Sequence, residues 1–249
     1  MSAAMSADKQ LVGYLPVGFP DLPASIDSAL ALLDNGVTAI EFGIPYSDPV
    51  MDGPVIQEAA NEALEAGFRL PQVFEAIAAV RARSDAPLYV MTYWNPILQY
   101  GVDRFADDFA AAGGTGLITP DITPDAAADW IAASERTGLE RVFLAAPTST
   151  DERLRMIAEA TRGWVYAVST MGVTGAREDL DSKARALVPR IRAAGAERVH
   201  VGIGISTAAQ VAEVWEYADG AIVGSAIVRA IQREGVAGAA RIAAELSPR

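Results

Sequence analysis

The chain has no cysteine and a single histidine among its 249 residues. Disulfides, thiolate metal sites and multi-histidine metal centres are thereby excluded, and a reducing compartment fits. Lysine is scarce too, occurring only as Lys9 and Lys183. No apolar run approaches the ~18 residues that a membrane-spanning helix requires. The opening MSAAMSADKQ lacks the basic start and long apolar run of a signal peptide. Positive charge is in deficit overall, with a formal net charge of −12. Nucleic acid and anionic lipid are poor partners for such a surface. An anionic ligand would have to be held by local backbone N–H groups, or by one well-placed cation, against the overall field.

What is present is a rhythm. With 51% hydrophobic and 21% charged residues the composition is ordinary for a globular protein. Apolar, β-branched runs alternate from end to end with Ala-rich amphipathic segments. Strands are expected over 11–18, 39–45, 87–96, 116–121, 141–150, 164–170, 198–204 and 220–225. Helices are expected over 25–36, 54–66, 70–82, 103–112 and 181–194, after Pro124, from Asp151 and Ser206, and nearly to the C-terminus. Continuously apolar strands, each followed by helix, imply a parallel sheet covered by helices. The spacing, roughly 31 residues per strand–helix step, suits a closed (β/α)₈ barrel, read as one TIM-barrel domain over residues 1–249. An open doubly wound sheet is the alternative.

In such barrels chemistry sits at the C-terminal ends of the strands, and the unusual residues fall there. On the second strand Glu41 shares a face with Ala39 and Gly43, so a carboxylate is given room between two small residues. Pro45, Pro49 and Pro54 then hold an irregular loop carrying Asp48 and Asp52. Glu41 and Asp52 can thus approach one ligand from different sides. Taken alone, each has an ordinary explanation, as a buried ion-pair partner and as a turn or cap residue. Asn95 and Asp121 end the third and fourth strands, and Gly172 to Gly175 follow the sixth. Gly202 and Gly204 close the seventh strand, and Gly224 and Ser225 the eighth, each just before a helix. Glycines let a backbone approach closely and helix N-termini present free N–H groups, which together form a phosphate site. Tyr14, Met91, Tyr93, Ile118 and Tyr166 read first as core residues. At the mouth they also offer an apolar pocket for a flat ring beside the phosphate, and with Ile222 they are the expected substrate contacts. His200, in a strand-like run, is read as a packed residue.

EFGIPYSDPVMDGP, MTYWNP, GLITPD, STMGVTGAR and the final G-x-G and GS together resemble the α subunit of tryptophan synthase, in order and from Val12 onward. The resemblance implies a barrel that cleaves indole-3-glycerol phosphate to indole and glyceraldehyde 3-phosphate without metal or cofactor. It implies Glu41 and Asp52 as the catalytic pair, with Tyr166 supporting the glutamate. It assigns phosphate to Gly175, Ile203, Gly204, Gly224 and Ser225, and a mobile-loop role to Thr174. It also implies a partner, a pyridoxal-phosphate-dependent β subunit in an α₂β₂ assembly in the cytoplasm, with Pro45 and Asp48 on the coupling loop. Two departures from the family are visible: a short, poorly patterned N-terminus before the first strand, and Thr170-Met171 where many members carry Arg-Ser.

Other readings stay open at this level. A stand-alone lyase needs no partner. A non-catalytic barrel subunit would not need both acids and the glycines. A synthase of the same indole substrate is expected to use a lysine acid, yet neither Lys9 nor Lys183 ends a strand.

Overall fold

The computed structural model describes residues 9–168, 177–202 and 204–248. Eight parallel strands close into a barrel in sequence order. They are β1 (Gln10–Pro16), β2 (Ala39–Gly43), β3 (Leu88–Met91), β4 (Gly116–Thr119), β5 (Glu140–Ala145), β6 (Val165–Val168), β7 (Val199–Gly202) and β8 (Gly220–Val223). Closure is direct, with Gln10 in register with Gly220. The helices are α1 (Leu22–Asp34), α2 (Pro54–Glu65), α3 (Pro71–Arg81), α4 (Trp94–Tyr100), α5 (Val102–Ala111), α6 (Ala128–Thr137), α7 (Asp151–Ala160), α8 (Arg177–Ala193), α9 (Ala208–Tyr217) and α10 (Ser225–Leu246). The expected closed barrel is the fold, and the open sheet is excluded.

Period-two alternation sorts the strand residues into two cores. Val12, Ala39, Tyr89, Ile118, Val142, Trp164, Tyr166, Val168 and Ile222 fill the barrel. Ile40, Phe42, Leu88, Val90, Phe143 and Val201 point outward and pack beneath the helices. Inside, rings lie over glycines of the next strand. A Cβ at Gly43 would strike the Tyr14 phenol, one at Gly202 the Tyr166 phenol, and one at Gly220 the His200 imidazole. His200 is a packed residue, stacked on Trp164 with centroids 4.2 Å apart. Burial depresses its pKa to about 3, which keeps it neutral.

Helix starts follow their caps. Asp21 accepts from Ala24 N at 2.7 Å ahead of α1, and Thr150 from Arg153 N at 3.2 Å ahead of α7. Several elements differ from the sequence reading: the fifth strand, expected over 141–150, ends at Ala145, and the helix expected over 181–194 begins at Arg177. The expected third strand, 87–96, stops at Met91, and Trp94–Tyr100 is helical. Aromatics there imitate a strand, but Asp121 accepts from Trp94 N at 2.9 and 3.1 Å and caps the turn from the end of the neighbouring strand, β4. Pro96 falls in the first turn, where its missing N–H costs nothing. The last helix is kinked at Gly235, whose φ is 59°.

Candidate active site

Glu41 lies inside the barrel at the C-terminal end of β2, next to Tyr14 in the register of β1 and Tyr89 in that of β3. The expected face holds: Ala39 and Gly43 flank it, and Gly43 has no side chain because the Tyr14 phenol occupies that space. Glu41 is 1% exposed, and its Oε2 has no hydrogen-bond partner. Burial first, and the charge of Asp52 second, push its pKa up to about 8. Among the described residues no cation influences it, so no ion pair with them accounts for the carboxyl. A carboxyl in these surroundings keeps its proton at neutral pH and can release it to a reacting atom.

Asp52 ends the loop from β2, immediately before Gly53, the N-cap of α2. The loop is held from two sides. Gln57 Nε2 donates to the Asp52 carbonyl at 2.7 Å. The Tyr93 hydroxyl accepts from Val50 N at 3.1 Å and Met51 N at 3.0 Å, and donates to Asp52 Oδ2 at 3.3 Å. Burial raises the Asp52 pKa above the usual carboxylate value, and the Tyr93 hydrogen bond offsets only part of that rise. Tyr14 and Tyr166 share this field. Burial raises both well above the usual phenol value; for Tyr14 the next cause is the charge of Asp52 and then Glu41, for Tyr166 Glu41 and then Asp52. The two acids and three tyrosines, drawn from β1, β2, β3 and β6, are therefore one electrostatic unit.

The expected anion end falls at the last two strands. Gly204 has φ of 86°, a left-handed conformation that a side chain would strain. Thr207 caps α9, accepting from Gln210 N at 3.3 Å. The cap of α10 is Gly224, which supplies no side-chain acceptor, so the N–H groups at that helix start stay available to a ligand. A Cβ at Gly224 would lie 3.4 Å from Tyr14 Cδ1 and 3.5 Å from Ile56 Cδ1. Ser225 opens α10 and is partly exposed. Thr174, Gly175 and Ile203 lie outside the described residues.

Ile118, Tyr166 and Ile222 belong to the inner cluster, with Met91 packed against it. The same cluster draws in Met51, Leu144 and Ala146, which the sequence reading missed. Strand periodicity pointed to two of them, since Leu144 and Ala146 continue the inward face of Val142. A cavity of about 150 Å³ opens beside them, its apolar wall including Met51, Ile122, Leu144, Ala146 and Val168. On the loop after β2, expected to meet a partner, Pro45 is buried and Asp48 exposed, the latter accepting from Ser47 Oγ at 2.5 Å. Val50, 78% exposed, is the apolar residue most open to solvent there. Asn95 is exposed on α4, and Asp121 is a helix cap. Among the described residues no group of three or more His, Cys, Asp or Glu is placed to hold a metal.

A family model described as "Tryptophan synthase alpha chain" matches residues 1–247. A tryptophan synthase alpha chain from Leifsonia xyli subsp. xyli is 66% identical over 237 residues, covering 95% of this chain and 91% of the relative. One from Mycobacterium avium is 51% identical over 237 residues, covering 95% and 87%. Among solved structures, Mycobacterium tuberculosis tryptophan synthase superposes with a TM-score of 0.90 at 51% identity, covering 96% of this chain and 91% of that one. The tryptophan synthase a2b2 complex of Pyrococcus furiosus gives 0.89 at 37% identity, with 96% of each chain covered.

Proposed function

This chain belongs to the tryptophan synthase alpha chain family, and from that premise we propose which of its residues carry the reaction. The protein is a carbon–carbon lyase of L-tryptophan biosynthesis, cleaving indole-3-glycerol phosphate to indole and glyceraldehyde 3-phosphate. It needs no cofactor of its own, pyridoxal phosphate belonging to the β subunit that the family implies as partner.

In the proposed mechanism Glu41 is the acid and base, and Asp52 the counter-ion. Expelling indole as a bare C3 carbanion is unfavourable. Glu41 gives its proton to C3, and the ring nitrogen takes up the positive charge. The bond from C3 to the glycerol carbon then breaks, its electrons returning to the ring. The hydroxyl on that carbon loses its proton to Glu41 as the aldehyde forms, so the acid is regenerated. Asp52, on the wetter loop, remains ionised and meets the ring N–H as its charge grows. The observation carrying this reading is the buried Glu41, with a pKa of about 8 and, among the described residues, no cation beside it. Met51, Met91, Leu144, Tyr166 and Ile222 are the proposed surroundings of the indole ring. Gly204, Gly224 and Ser225, with Gly175 and Ile203, are the proposed phosphate contacts, and Thr174 the closing residue.

Three coarser matters are proposed with it. The chain forms one domain over residues 1–249, a reading supported by the pairing of β1 with β8. Its assembly with the β subunit is α₂β₂, with the Pro45–Pro54 loop as coupling element and Asp48 facing the partner. Its location is cytoplasmic; among the described residues no helix is long and apolar enough to cross a membrane. The test is indole release from indole-3-glycerol phosphate by the purified chain, with and without β subunit, for wild type, Glu41→Gln and Asp52→Asn. Wild-type turnover by either variant overturns the assignment of that acid.

A further inference from the structure

We propose that Tyr93 is a positioning residue for the reaction: its hydroxyl fixes the Asp52 carboxylate and directs a proton at it, so that the ionised form faces the substrate. The inference rests on the reading of Asp52 given above and extends it to a residue so far regarded only as a ring contact.

A phenol offers one O–H and two lone pairs. In Tyr93 the lone pairs take the N–H groups of Val50 and Met51 at 3.1 and 3.0 Å. Its one proton then has Asp52 Oδ2, at 3.3 Å, as acceptor. With both lone pairs engaged, the hydroxyl is committed to donating toward the carboxylate, and a carboxylate accepts best when ionised. Tyr93 is itself well anchored. Its ring is 5% exposed and rests against Tyr46 with centroids 5.1 Å apart. Thr92 Oγ1 donates to its carbonyl at 3.1 Å. The next N–H, that of Trp94, is held by Asp121 at 2.9 Å. The loop after β2 thus converges on one oxygen carried at the end of β3, and the residue after Tyr93 is tied to the end of β4.

The other titratable groups around Asp52 are Glu41 of β2, Tyr14 of β1 and Tyr166 of β6, each of which the charge of Asp52 holds more firmly protonated. On Asp52 itself burial works against ionisation, and the Tyr93 hydrogen bond opposes that burial. If Tyr93 only tied down the loop, its loss would slacken substrate binding and stability without moving an ionisation.

The experiment follows indole release across pH by the full chain, as wild type, Tyr93→Phe, Asp52→Asn and the double variant. Removing a donor from the carboxylate raises its pKa, so the acid limb of Tyr93→Phe is expected at higher pH. Its kcat should fall about 10- to 100-fold, the scale of a hydrogen bond to a charged group, with KM little changed. In the Asp52→Asn background the same change should add little. A ring-fluorinated tyrosine at position 93, a stronger donor of the same shape, should move the acid limb the other way, and it decides the matter if Tyr93→Phe does not fold. An acid limb unmoved by either change, or an equal loss with and without Asp52, overturns the proposal. Wild-type turnover by Asp52→Asn would instead overturn the assignment of Asp52.

Discussion

Exchanging Glu41 for glutamine keeps the size of the side chain and removes its proton, and burial makes the effects on stability and turnover opposite in sign. A glutamate that titrates at 4.5 when free is raised to about 8 in the fold. Between those values the unfolded chain releases a proton that the folded chain retains. Stability contributed by this group therefore falls as pH rises, by about 1.4 kcal/mol per unit, until the folded glutamate also ionises. From pH 5 to pH 8 the loss sums to about 3–4 kcal/mol. Glutamine has no such dependence. Its amide adds a cost of ~1–3 kcal/mol if it finds no partner, but that cost is the same at both pH values and cancels from the comparison. Denaturant unfolding at pH 5 and pH 8 should show Glu41→Gln gaining about 3–4 kcal/mol on wild type between the two. Indole release should fall ~10²–10⁴-fold, the usual loss for a positioned acid–base group. Equal relative stability at both pH values would mean that Glu41 is already ionised when folded, and the argument for it as proton donor would fail.

The other expectations are simpler. Asp52→Asn should keep the fold and the affinity for glycerol phosphate while turnover drops ~10²–10⁴-fold; calorimetric titration beside the indole assay separates the two. Gly224→Asp should abolish glycerol phosphate binding, because side chain and like charge would enter the space at the start of α10; unchanged affinity would put the phosphate elsewhere. Cognate β subunit should raise turnover at least ~10-fold, about 1.4 kcal/mol of coupling. Asp48→Asn should reduce that activation more than it reduces the rate of the isolated chain; an undiminished activation would remove Asp48 from the coupling loop.

The parts of the site that were legible in the sequence are those written in local pattern. Strand alternation was enough to put Glu41 among Ala39 and Gly43, and three prolines were enough to mark the loop of Asp52. Glycines before two helix starts marked the proposed anion end. What stayed hidden depends on contacts between distant segments. Asp121 carries no sign that it will cap a helix starting at Trp94, so the aromatic run around Tyr93 read as strand. Tyr93 itself looked like core, because hydroxyl bonds to Val50, Met51 and Asp52 exist only once β2 and β3 are adjacent. Gly43 read as room for an acid; its neighbour's ring is what requires it.

That ring has a wider reach. The Tyr14 phenol fills the place of a side chain at Gly43, and its Cδ1 would stand 3.4 Å from a Cβ at Gly224. One side chain borders both the proposed proton-donating end and the proposed anion end; Gly43 cannot take a side chain while residue 14 is large, whereas a Cβ at Gly224 would meet the same ring at ordinary contact distance. Added bulk at Gly43 would have to displace the ring that also borders Gly224. Tyr166 with Gly202, and His200 with Gly220, bind their partners in the same way. Changes at such pairs are strongly epistatic and ordered in time. The ring must shrink before the glycine can grow, and a lineage that takes the steps in reverse passes through a misshapen barrel.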